Sequence, residues 1–170
     1  MQANNSPELN IRGYRLGKPE AKEIITDLVS AAQGIETAVH DATEDFLSLW
    51  GREGDESVWS SDFSRYIWTH VCGRYKTQTE KAYRVCDYAR PDTYRSFTTS
   101  ASVFERPQSW NREYELMVEL ENVEYYPLCD AIDNIVGLSA FVKKIIKDEC
   151  EYIVKIPQSF KLTPNPEWEK

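Results

Sequence analysis

Apolar residues recur at alternating spacings of three and four between Lys18 and Trp50: Ile25, Leu28, Ala32, Ile35, Val39, Ala42, Phe46 and Leu49. This is the stripe of an amphipathic helix and predicts one long helix over 18–50. Pro19 suits its first turn and Gly51 its stop, while Gly34 allows a bend or a break midway. Val29, Ala31, Ala38 and Trp50 widen the apolar face beyond a two-stranded coiled-coil seam, which favours packing inside the chain's own domain.

The polar segment 51–57 reads as a turn. Beyond it Phe63, Tyr66, Ile67, His70 and Val71 form one face of a second helix, which Gly73 can end. Thr77 and Glu80 have the spacing of a capping box and predict a third helix that stops before Pro91. Ala82, Val85, Cys86 and Ala89 would face inward, and Gln78, Lys81, Arg84 and Tyr88 outward.

After Pro91 the residue types change to strand formers over 93–104, followed by a loop containing Pro107 and Trp110. Over 113–121, Tyr114, Leu116, Val118 and Leu120 alternate with glutamates and Met117, the period of a half-buried strand, with a glutamate-rich helix as the alternative. Pro127 opens a short helix closed by Gly137, Ser139 caps another carrying Val142, Ile145, Ile146 and Cys150, and 152–156 suits a closing strand. Residues 1–10 and 158–170 read as irregular tails.

The expected fold is therefore α+β: three N-terminal helices (one long), a β-hairpin, two further helices and a final short strand, with an all-α bundle as the alternative. A chain of 170 residues with 41% hydrophobic content supports one sizeable core, so 1–170 is expected to form a single domain. Cys72, Cys86, Cys129 and Cys150 are widely spaced without a CxxC pair, which suits reduced thiols in a cytoplasmic protein. No apolar run reaches the roughly 18 residues of a membrane span.

Charge divides the chain more sharply than hydropathy does. The net charge is −8, but residues 1–60 carry five basic and eleven acidic side chains, 61–110 eight and five, and 111–170 seven and twelve. Only the middle segment attracts phosphate. A helix, a glycine turn, a capped basic helix and a hairpin, in that order, resemble a winged helix-turn-helix within 18–106. That resemblance implies a second helix in the major groove of duplex DNA, with Gln78, Lys81 and Arg84 toward bases and Arg74, Lys76, Arg90, Arg95 and Arg106 toward the backbone.

Other chemistries have thinner support. Arg65 and His70 in RYIWTH form an R-x4-H that resembles the short signature of HEPN-type ribonucleases, which implies phosphate stabilisation by the arginine and proton transfer by the histidine at a dimer interface. The competing reading buries His70 on the apolar face of its helix. His40 has Glu36, Asp41 and Glu44 nearby, without the Glu-x-x-His repeats of a dinuclear site. His70, Cys72 and Cys86 lack paired zinc-ligand spacing. No glycine-rich phosphate loop or GxSxG elbow occurs, and neither a cofactor nor a metal is implied.

The leading expectation is a non-enzymatic, DNA-associated regulator acting through 65–106, with homodimerisation open. The alternative is an acidic inhibitor or adaptor of the immunity, antitoxin or phage-inhibitor type. It would engage a basic protein surface, using Trp59, Trp68, Tyr125 and Tyr126 as anchors.

Overall fold

The apolar stripe of 18–50 breaks at Gly34 in the computed structural model, which describes residues 7–51, 56–75, 77–86, 90–99, 114–148 and 151–165. Helix α1 (Lys18–Ala32) has Pro19 in its first turn, and the Glu20 carboxylate accepts a hydrogen bond from the Gly17 N–H at 3.1 Å. It ends where Gly34 turns left-handed (φ +80°) and the Ile35 N–H bonds back to the Ser30 carbonyl at 3.1 Å. Glycine makes that reversal without a Cβ penalty. Helix α2 (Asp41–Trp50) follows and ends at Gly51. The single long helix expected here is thus two, because folding back at Gly34 brings both halves of the stripe into one core.

Strands β1 (Leu9–Ile11) and β2 (Tyr14–Leu16) form a hairpin before α1, through a two-residue turn at Arg12 and Gly13 with both φ angles positive. The irregular N-terminal tail expected over 1–10 is therefore strand from Leu9 onward. Helices α3 (Glu56–Trp59) and α4 (Asp62–Arg74) follow, and the Ser61 hydroxyl caps α4 by accepting from the Ser64 N–H at 3.1 Å. Gly73 does not stop α4, which runs on to Arg74.

The largest departure from expectation is the third helix. Residues Thr77–Cys86 are strand β4, paired antiparallel along its length with β6 (Leu116–Tyr126). A capping box is a four-residue signal worth about 1 kcal/mol, whereas the β4 ladder exists only because β6 lies beside it. β4 supplies Thr, Tyr and Val residues suited to that setting. The strand predicted at 113–121 corresponds to β6, which begins at Leu116 and runs on to Tyr126.

Strands β5 (Tyr94–Phe97), β8 (Tyr152–Lys155) and β9 (Lys161–Pro164) complete a curled sheet of order β4-β6-β8-β5, with β9 also on β6. Its two ends meet through Tyr83 and Thr98, whose N–H groups bond to each other's carbonyls at 2.8 and 3.0 Å. Inside it pack Ala82, Phe97, Val118, Leu120, Val154 and Ile156. The C-terminal tail expected to be irregular contributes β9.

A second, larger core joins the helices to the sheet. Phe46, Trp50, Phe63, Trp68 and Tyr126 form an aromatic cluster, with Trp50 and Trp68 5.1 Å apart at their ring centres and Trp68 and Tyr126 5.9 Å apart. Asn122 decides how β6 reaches both cores. Its left-handed backbone (φ +53°) interrupts the ladder for one residue pair, after which the sheet core continues with Val123 and Tyr125 rather than 122 and 124. Tyr126 then points into the helical core, where its hydroxyl donates to the Leu28 carbonyl.

Helix α5 (Leu128–Ala131) and a 3-10 turn (Ile132–Asn134) lead to β7 (Ile135–Val136), which pairs in parallel with β3 (Thr37–Ala38). The Ser139 hydroxyl accepts from the Val142 N–H at the start of α6 (Ala140–Asp148). The observed class is α+β, with six α-helices among the described residues, one five-stranded curled sheet and two small sheets. This replaces the expected order of three helices followed by a hairpin. Among the described residues no helix is long and apolar enough to cross a membrane.

Candidate functional site

The break at Gly34 creates a surface that the helical stripe conceals in sequence. α1 and α2 are locked together across it by Asp27, whose residue is 1% exposed. Its carboxylate accepts from the His40 backbone N–H at 3.0 Å, the His40 Nδ1–H at 2.8 Å and the Thr43 hydroxyl at 2.6 Å. A buried carboxylate needs such donors, and here two of them belong to the residue that opens α2. The hydrogen bond to Asp27, then its charge, raises the His40 pKa, and Glu23 and Asp41 add to the effect.

Beyond this lock the 35–39 segment runs beside β7, and the Val39 N–H bonds to the Val136 carbonyl at 2.9 Å. The Ser139 N–H donates to the Glu44 carboxylate at 3.0 Å, tying the following loop to α2. Two aliphatic side chains stay in solvent here: Ile35 is 53% exposed and Val136 48%. Glu23, Glu36 and Asp41 are exposed on the same α1–α2 junction. Burial, followed by the charges of Asp41 and Glu44, raises the pKa of Asp45 in the first turns of α2. Exposed aliphatic and acidic side chains thus both occur along the α1–α2 junction and the β3–β7 pair that adjoins it. Among the described residues no group of three or more His, Cys, Asp or Glu side chains is arranged to hold a metal.

The helix expected to present basic residues to DNA is strand β4, and the described residues among those expected to contact DNA are spread over α4, β4 and the segment from Arg90 into β5. Lys81 lies on β4 beside the carboxylates of Glu119 at 3.1 Å and Glu121 at 4.0 Å. Arg84 donates to the Ser96 carbonyl at 2.9 Å and sits 5.3 Å from the Trp59 ring centre. Arg95 is buried against the same ring at 5.7 Å, donating to the Tyr94 carbonyl, the Glu56 carboxylate at 2.6 Å and the Ser60 hydroxyl. Arg74 is exposed in the last turn of α4 and Arg90 is exposed before β5. Gln78 belongs to β4, and Lys76 and Arg106 lie outside the described residues. Folding thus brings Arg84 and Arg95 together, but around a tryptophan that joins α3 to the sheet.

The other candidates also resolve. Arg65 is exposed, and His70 is half-buried on the flank of α4, its Nδ1–H donating to the Tyr66 carbonyl at 2.8 Å and its ring 4.1 Å from that of Tyr66. The core face of α4 is Phe63, Ser64, Ile67, Trp68 and Val71, so His70 is not the core histidine expected. Cys72 and Cys129 carry thiols rather than a disulfide. Of the four proposed anchors, Trp68 and Tyr126 are fully buried, Trp59 packs against the two arginines, and Tyr125 packs on Tyr152. No protein-family model, characterised protein or solved structure matches this chain.

Sequence reasoning missed Asp27 and Thr43. An aspartate on the inner face of a helical stripe, thirteen residues before a histidine, was the available signal.

Proposed function

We propose that this chain is a non-enzymatic binding protein that docks a basic protein partner on the acid-rimmed surface around Ile35 and Val136. The observation that carries this reading is the pairing of half-exposed aliphatic side chains with the exposed carboxylates of Glu23, Glu36 and Asp41. Apolar contact supplies affinity at the centre of such a surface, and the charged rim selects partners and speeds encounter. The acidic flank of residues 1–60, five basic against eleven acidic side chains, supports the same choice of partner. Thiols at Cys72 and Cys129 support action in the reducing cytoplasm. The duplex-DNA reading rested on a recognition helix whose residues form β4, so the protein-binding alternative is the one carried forward.

A photo-crosslinking residue at position 136, compared with the same residue at 162 on β9, tests the proposal in cells. Position 136 should capture a basic protein, and Ile35→Asp should abolish the capture while leaving the fold intact. Equal capture at both positions, or capture that survives Ile35→Asp, would overturn it.

A further inference from the structure

Between the β3–β7 pair and α2 the chain exposes an imidazole. His40 follows Val39, whose N–H bonds to the Val136 carbonyl at 2.9 Å. Its own backbone N–H and its Nδ1–H both donate to the buried Asp27 carboxylate, at 3.0 and 2.8 Å. The inner edge of the ring is thus fixed while the side chain remains 49% exposed.

The charges around this ring are negative. Asp27 and Glu23 face it from α1, and Asp41 faces it from α2. The β3–β7 pair beside it, Thr37–Ala38 and Ile135–Val136, carries no ionisable side chain, and Glu36 precedes β3. Glu23 and Asp41 are two of the carboxylates assigned to the docking surface around Ile35 and Val136. A proton on His40 therefore places a positive charge where the cations of a basic partner would go.

We propose that His40 is a proton-operated gate on that docking surface: the imidazolium shields Glu23 and Asp41, and its loss opens them to a basic partner. The inference rests on the docking reading and adds its regulation. The hydrogen bond to Asp27, then the charge of Asp27, raises the His40 pKa above 6.5, so the gate opens as pH rises through the higher folded value. The proton that tightens the α1–α2 lock weakens docking, and stability and binding move in opposite directions with pH. The linkage is reciprocal, so a docked partner must in turn lower the His40 pKa.

The test titrates the full chain with a blocked hexapeptide of alternating lysine and leucine, whose ammonium groups stay charged between about pH 6 and 8.5. Backbone amide and imidazole signals are followed by NMR. Saturable shifts at residues 35–41 and 136 should appear, with an affinity about fivefold higher at the upper pH. His40→Gln, which keeps a donor for Asp27 without the titration, should bind equally at both ends of the range. His40→Lys should stay in the weak state throughout. In the parent chain saturating peptide should lower the His40 midpoint by about 0.7 pH unit, the same fivefold read from the proton. Equal affinity across the range, a pH dependence that survives in His40→Gln, or a His40 midpoint unmoved by bound peptide would overturn the gate and leave the docking surface standing. No saturable shift at these residues at either pH, up to about 5 mM peptide, would instead remove the docking surface and the gate with it.

Discussion

His40 Nδ1 lies 2.8 Å from Asp27 Oδ1, so the first residue of the turn into α2 is held by a carboxylate buried in α1. Removing the carboxylate leaves the Thr43 hydroxyl and the His40 backbone N–H without their acceptor. Asp27→Ala should cost about 1–3 kcal/mol, measured as a shift of the urea midpoint at constant slope.

The same pair makes stability depend on pH. The folded-state pKa of His40 is raised above its ordinary 6.5, so the folded chain holds that proton more tightly than the unfolded chain does. Its contribution is complete below pH 6.5 and disappears as pH rises through the higher folded value. Urea midpoints between pH 5 and 8 should therefore fall with pH in the parent protein more than in His40→Gln. Identical profiles would refute the linkage.

Tyr126 joins the two cores, and burial holds its phenol well above the ordinary range, hence protonated and able to donate to Leu28. Tyr126→Phe should keep the ring packing and lose only that bond, costing about 1–2 kcal/mol in denaturant unfolding. A loss above about 4 kcal/mol would mean that the ring itself had moved.

Asn122 should be replaceable by glycine with little change in stability, whereas Asn122→Val should destabilise by about 1–3 kcal/mol. The reason is the φ of +53°, which a β-branched residue tolerates poorly. Thermal unfolding of the two variants checks the order; a valine variant as stable as the glycine one would remove strain from the account.

Arg95 and Lys81 were both expected on a DNA-facing surface, and the fold assigns them different weights. Arg95→Ala loses packing against Trp59 and a buried guanidinium network and should cost about 1–3 kcal/mol. Lys81→Ala, at a half-exposed ion pair, should change stability far less than Arg95→Ala does. Chemical denaturation of both variants, read side by side, tests the contrast.

Several elements were legible because their signals are local. Pro19 at the start of α1, Gly51 after α2, Ser139 before α6 and the alternation of Leu116, Val118 and Leu120 all act within a turn or a strand. The candidate site was hardly legible, because Asp27, His40 and Val136 meet only after the chain reverses at Gly34 and β7 returns to pair with β3. The capping box at Thr77 and Glu80 misled for the same reason, since it describes a preference that the β6 partner overrides.

By itself the sequence determined the mixture of helix and strand, the starts of α1, α5 and α6, the stop of α2, the strands around Val118 and Ile153, and the segregation of charge. These follow from short-range sterics and from the period at which apolar residues recur. Only the tertiary structure decided whether the 18–50 stripe was one helix or two, whether Thr77–Cys86 was helix or strand, and whether its basic side chains faced solvent or neighbours. Each of those choices depends on a partner distant in sequence, a ladder or a buried carboxylate, whose free energy exceeds the preference of the segment alone.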